Sequence, residues 1–415
     1  MKSLWPTGTL AQSPFLWFYA GRTISLFGSG MTPVALAFAI LSTRHGQALL
    51  GPIMAAEILP NIIMLLIGGS VADRYRRDRL MQAGSIGAGL TQAGIAAIVL
   101  TRANPYALFP LAILNGVLAA FTAPATRGIL PQLIDPEDIA QANAYLNASR
   151  SAAKILGPAA SGVLAATVGG GWAIALDALS FFLASACFCR ISTPSHPTSP
   201  NSLLRQIQEG WTYFIRQPWI WPITAAFAVM NLVQMGAWRV LGPIIALRTF
   251  GAAGWGLVLS LQAVGLLLGS LGILRIHVTR PLMATMTAAT LVGLPMLALG
   301  LKAGLLVLML AAIASGIGSA ISTVTWNSTL QQGVPPRKMS QVMAIDDLGS
   351  FAAIPIGLVL ALPLAHRVGL TDVETIGGLI WITAAMLPLA QRHVREMTGP
   401  DIRACATEIA DSKSS

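Results

Sequence analysis

Twelve apolar stretches follow one another between residues 14 and 391, separated by short polar joints. Each is about 20 residues or longer, the length an α-helix needs to cross a bilayer. The pattern predicts helices over 14–41, 47–70, 80–101, 105–125, 142–168 and 171–192, then 219–247, 254–275, 281–301, 303–328, 341–365 and 373–391. Such a run excludes a water-soluble globule. Only 10% of the 415 residues are charged and 54% are hydrophobic, whereas ordinary domains carry about 25% charged residues. The 40 glycines also fit spanning helices, which use Gly more often than soluble ones do. The fold class read from this is all-α, twelve transmembrane helices in two six-helix bundles.

The basic residues orient the chain. With both termini inside, 17 of the 26 Lys and Arg fall in cytoplasmic segments and 5 in outer loops: Arg44, Arg102, Arg248, Lys302 and Arg367. That bias predicts cytoplasmic termini. The net charge of +10 does not suggest nucleic acid, because the cations sit in short clusters without interleaved aromatics. Membrane lipid is the expected surrounding, and a monomer is expected. The three cysteines, Cys187, Cys189 and Cys405, form no metal-ligand pattern. The N-terminal stretch lacks the cleavage pattern of a signal peptide, so the first helix is expected to be retained.

The domain plan is an N-terminal bundle over 1–192, a cytoplasmic linker over 193–218, a C-terminal bundle over 219–394 and a cytoplasmic tail over 395–415. The linker opens with Pro194, Pro197 and Pro200 among serines and threonines. Leu203, Leu204, Ile207, Trp211, Phe214 and Ile215 then recur at helical spacing, which predicts an amphipathic helix on the inner leaflet. The bundles are related in sequence. At an offset of 200, Leu130, Gln132, Pro136, Gln141 and Ala144 meet Leu330, Gln332, Pro336, Gln341 and Ala344. Weak repeats at constant offset suggest two bundles about an axis normal to the membrane, with substrate held between them.

The loop after the second helix reads Gly69-Ser70-Val71-Ala72-Asp73-Arg74-Tyr75-Arg76-Arg77. It resembles the loop motif of the major facilitator superfamily, matching at Gly69, Asp73, Arg74 and Arg77, with Arg76 where the family has a second Gly. The run from Asn115-Gly116 through Ala123-Pro124-Ala125-Thr126-Arg127 to Gly157-Pro158 is similar to the branch containing the enterobactin exporter and macrolide efflux proteins. The resemblance implies a transporter of the bacterial inner membrane that exports a drug, siderophore or natural product. Gly157, Pro158 and Gly162 resemble part of a helix-packing motif associated with antiporters in that superfamily.

Ionisable groups inside the membrane are costly and usually functional. Arg22, Glu57, Arg150, Lys154, Asp177 and Arg239 fall within helices. Glu57 is read as the deep carboxylate and the candidate for proton coupling. Arg150 and Lys154 are four apart and share a face. Their anionic partner is either Glu57 or Asp177, in a structural ion pair, or part of a substrate. Asp346 and Asp347 are placed at the cytoplasmic edge, where Asp73, Arg74 or Arg77 could meet them in a gate. Asn115, Asn231, Gln234, Trp238, Trp326 and Asn327 are the candidate cavity residues, each also able to serve as a plain interhelical contact. There is no phosphate loop and no metal motif, so no cofactor is expected and transport should run on a proton gradient. An importer of small nutrients, a lysolipid transporter and a non-transporting sensor stay open as alternatives.

Overall fold

The computed structural model describes residues 12–65, 76–192, 211–276, 278–335 and 338–401. Within them lie twelve long helices and no strand. They are α1 (Ser13–Leu41), α2 (Gly46–Leu65), α3 (Arg77–Leu100), α4 (Leu108–Gly128), α5 (Ile139–Thr167) and α6 (Gly170–Phe188). Then come α7 (Ile220–Thr249), α8 (Gly251–Ile273), α9 (Pro281–Gly300), α10 (Leu305–Gly333), α11 (Met339–Phe351 and Ile354–Val368) and α12 (Leu370–Ala390). Eleven are long and apolar enough to cross a membrane. The exception is α5, whose 29 residues include Asn143, Asn147, Arg150 and Lys154.

Three helices depart from the expected form. The middle of α7, Gln234–Leu241, is π-helical, a wide turn often found at functional sites. A break at Ala352–Ala353 divides α11 just before Pro355, which has no N–H to donate to the carbonyl four residues back and so fits the first turn of a new helical segment. Helix α10 runs to Gly333, five residues past its expected end. At the start of α5, Asp135 leads into a 3₁₀ turn, Pro136–Asp138, and the α-helix begins only at Ile139.

The chain divides into two compact units: Met1–Pro200 with Ala246–Ser260, and Asn201–Ile245 with Leu261–Ser415. In the first, α1 packs on α5 and α6, α3 on α4 and α6, and α2 on α4. In the second, α7 packs on α11 and α12, and α9 on α10 and α12. The repeat seen in sequence recurs in the backbone. Arg102 (φ 53°) and Lys302 (φ 56°) both occupy the left-handed region after α3 and α9. Each is closed by the same backbone hydrogen bond, Ala103 N to Ile98 O at 3.0 Å and Ala303 N to Ala298 O at 2.9 Å. Gly169 (φ 97°) and Gly369 (φ 117°) likewise precede α6 and α12, in conformations that a side chain would strain.

Glycine sets the helix spacing in both units. A methyl group on Gly157 of α5 would collide with Gly30 of α1, and one on Gly236 of α7 with Gly357 of α11. Gly157 and Gly357 are 200 residues apart; Gly30 and Gly236 are 206 apart. Small residues therefore let the same two helices touch backbone to backbone in each unit.

Residues 211–216 are helical, and 203–210 of the expected linker helix lie outside the described residues. Tyr213 and Phe214 are buried in the core of the second unit with Val334 and Val394. The Tyr213 hydroxyl donates to Gly333 O at 3.2 Å. This corrects the expected leaflet-bound face: Phe214 is packed on protein, while Trp211 and Ile215 stay exposed.

Candidate functional site

A cavity of about 300 Å³ opens inside the second unit between α7, α10, α11 and α12. Phe227, Met230, Trp326, Phe351 and Trp381 give it an apolar, aromatic wall; Asn231, Gln234, Asn327, Asp346 and Asp347 supply polar groups. An apolar wall with a few polar groups is the usual lining of a small-molecule pocket. Asp346 is nearly fully buried. Its Oδ2 accepts from Trp326 Nε1 at 2.9 Å and its Oδ1 from the Thr224 hydroxyl. Trp326 is held edge-on by Trp219 (6.1 Å between centroids) and Phe227 (5.7 Å). Asn231 Nδ2 donates to Ser350 O at 3.1 Å across α7 and α11. These bonds fix the polar groups in an otherwise greasy wall.

Four of the six residues nominated for the cavity, Asn231, Gln234, Trp326 and Asn327, line this space. Trp238 is buried in the π-helical segment and Asn115 belongs to the first unit. Asp346, nominated for the gate, has both its oxygens engaged inside the second unit, as most buried polar groups are. Asp347, one residue on, is exposed and lines the cavity. Of the loop motif, Gly69, Asp73 and Arg74 lie outside the described residues; Arg77 opens α3. Next to it Arg76 pairs with the buried Asp78 at 2.7 Å. Hydrogen bonding to that carboxylate pushes the Arg76 guanidinium above its ordinary range.

The first unit holds a polar chain across three helices. Asn115 Nδ2 on α4 donates to Glu57 Oε1 on α2 at 2.9 Å, and Thr91 on α3 lies 3.2 Å from Asn115 Oδ1. The close approach of α2 and α4 depends on Gly116, where a methyl would strike the Glu57 carbonyl. Asp177 on α6 is 1% exposed, and its Oδ2 accepts from Thr32 on α1 at 2.9 Å. Glu57 and Asp177 act on each other electrostatically. Glu57 is half-buried and Asp177 nearly fully buried.

Arg22 on α1 and Arg150 and Lys154 on α5 influence one another electrostatically, and Arg150 also bonds Asn147 at 3.3 Å. Among the described residues no carboxylate pairs with any of the three, so the ion pair offered for Arg150 and Lys154 with Glu57 or Asp177 is absent. Arg239 lies in the π-helical segment of α7. Gly157 meets α1, while Pro158 and Gly162 meet Gly256 and Ala252 at the start of α8.

Sequence reasoning missed Glu374. This residue of α12 is fully buried and neither carboxylate oxygen has a hydrogen-bond partner. The only hint was its spacing from Gly377 and Gly378, which share its buried face.

Among the described residues, twelve long helices in two units, eleven of them apolar enough to cross a membrane, define a multi-pass membrane protein. The chain belongs to the Major Facilitator Superfamily, whose sequence model matches residues 18–358. It is 28% identical over 365 residues to the multidrug efflux pump Tap of Mycolicibacterium fortuitum, covering 83% of this chain and 87% of that protein. It is 23% identical over 401 residues to macrolide efflux protein A of Streptococcus pyogenes, covering 92% and 97%. Among solved structures it resembles the nucleoside transporter NupG (TM-score 0.73, 14% identity, covering 92% of this chain and 99% of that one). It also resembles the peptide transporter POT (TM-score 0.69, 15% identity, covering 94% and 95%). These two likenesses establish the fold alone. The protein is a transporter and not an enzyme.

Proposed function

We propose that this transporter exports small amphiphilic molecules, of the drug or natural-product kind, in exchange for protons. The observation that carries the reading is the cavity of the second unit, whose aromatic wall and hydrogen-bonded Asp346 suit an apolar body with a polar or cationic group. The naming of its relatives as efflux pumps supports the direction of transport. Both termini face the cytoplasm in this reading, on the bias of the basic residues.

Glu57 and Asp177 are the proton-carrying pair. Two carboxylates that interact inside a bundle release their protons in coupled steps, and a change of conformation that separates them or wets one would shift that release. Proteoliposomes loaded with a fluorescent amphiphile and given an inward pH gradient test the reading. Glu57→Gln and Asp177→Asn are expected to abolish gradient-driven movement while leaving counterflow of the dye. Full gradient-driven transport by both variants would sink the assignment. Replacement of Trp326 by Ala is expected to weaken dye binding about tenfold or more, as loss of a buried aromatic anchor does.

A further inference from the structure

We propose that Arg22, Arg150 and Lys154 form a binding site for an oxyanion, a carboxylate or phosphate, carried by the transported molecule. The proposal rests on the transport reading above and names a chemical class within it.

Helices α1 and α5 are locked together beside these cations. The Tyr19 hydroxyl lies 2.8 Å from Ser149 Oγ, and Thr23 donates to the same oxygen at 3.2 Å. Arg22 immediately precedes Thr23 and Arg150 immediately follows Ser149, so the contact brings the two guanidinium stems to one level. Lys154 follows one turn later on the same face. Depth follows from length: both helices have 29 residues, and all three cations lie within about a turn and a half of the helix midpoints.

The cations point away from lipid. On α5 the exposed apolar residues are Leu156 and Val163, each 55% exposed. At about 100° per residue, Lys154 is turned about 160–180° from both. On α1 the exposed large apolar residues are Leu16 and Trp17, and Arg22 is turned about 120–140° from each. Snorkelling into headgroups, the usual relief for a membrane Lys or Arg, is not available at this depth and on this face.

Each such charge is costly to place at the centre of a bilayer. Membrane cations are ordinarily compensated by a carboxylate or by backbone carbonyls. Three acids of the same unit are engaged elsewhere: Asp177 with Thr32, Glu57 with Asn115 and Asp78 with Arg76. Arg150 bonds the neutral Asn147, and among the described residues Arg22, Arg150 and Lys154 have no ion pair. Three clustered cations repel one another unless an anion enters, and two guanidinium forks with one ammonium match the geometry of a carboxylate or phosphate.

The test compares dansyl-phenylalanine with its methyl ester, which share an aromatic body and differ in one carboxylate. Binding to the full-length protein in phosphatidylcholine nanodiscs is read by fluorescence anisotropy, which needs no gradient and no transport. The acid is expected to bind about tenfold more tightly than the ester, as one charge-assisted contact allows. The combined Arg22→Gln, Arg150→Gln, Lys154→Gln variant should bind both alike. Lys154→Gln alone, at an exposed position, should fold and narrow the ratio, and Lys154→Arg should keep it. Equal binding of acid and ester by the native protein, or a preference that survives in the Gln variants, overturns the proposal. Loss of the preference when phosphatidylglycerol is added assigns the cations to a lipid headgroup and also overturns it. A carboxylate preference without gradient-driven movement of either dye would leave this site standing and defeat the export reading instead.

Discussion

Glu57 and Gln262 stand at matching places in the two units. Each lies beside a glycine, Gly116 or Gly316, that lets the helices touch, and each bonds the residue before it: Asn115 to Glu57 at 2.9 Å, Gln262 to Ser315 at 3.0 Å. One partner can lose a proton; the other cannot. The same contrast runs through the repeat. Asp177 has Gly377 as its counterpart; Arg22, Arg150 and Lys154 have Ala228, Ser350 and Ile354; Asp346 and Asp347 have Leu146 and Asn147. Backbone devices were kept in both units, while the ionisable groups were divided between them. The first unit carries the interacting acids and the uncompensated cations, and the second carries the aromatic, carboxylate-edged cavity.

The largest effect should come from attacking what the units share. Gly157→Val and Gly357→Val each force a branched side chain into a backbone contact, beyond the about 1–3 kcal/mol typical of overpacking. Both should sharply reduce the yield of monodisperse protein in detergent. A normal yield from one alone would show that the two crossings are not equivalent. Next comes Asp346→Ala, which strands the Trp326 indole N–H and leaves the Thr224 hydroxyl its bond to Ile220 O at 3.2 Å. The orphaned N–H costs about 1–3 kcal/mol, so thermal unfolding should shift down by several degrees, whereas Leu146→Ala should lose only apolar packing.

A smaller and sharper test is to move the acid. Gln262→Glu in the Glu57→Gln background is not expected to restore gradient-driven transport, because Gly377 stands where the first unit has Asp177 and the buried Glu374 lies a turn away from that place. Rescue would show that one acid in either unit suffices. The smallest effect belongs to the turns. Arg102→Gly and Lys302→Gly relieve left-handed strain and should each raise stability by about 1 kcal/mol or less. Unequal gains, measured by thermal denaturation, would separate the two turns.

Helix number and the two-fold repeat were legible in the sequence because apolar length and constant offset are one-dimensional signals. The convergence of Asn231, Gln234, Trp326 and Asn327 was legible because polar side chains in apolar helices are few. Facing was harder. In a helix apolar on every side, the inward face is chosen by neighbours, so Asp346 was placed at an edge although its bonds lie inside. Glu374 follows the first turn of α12, two residues past the acidic Asp372, and nothing in that local sequence marks it as enclosed; only packing reveals it. The π-helical turn in α7 left no periodic trace, since one widened turn is lost among residues of similar hydropathy.

The polarity of α5 has a consequence for how the protein is made. A segment bearing Arg150 and Lys154 near its centre gains little by leaving the translocation channel alone. Its partners in the folded unit, α1 and α6, flank it on both sides of the chain order. Helix α1 has already been delivered to the membrane when α5 emerges, but α6 has not. The first unit is therefore expected to hold α5 at the channel until α6 is synthesised, so that the pair enters as a hairpin against α1. Stability of the finished transporter and order of its biosynthesis would then be set by the same two cations.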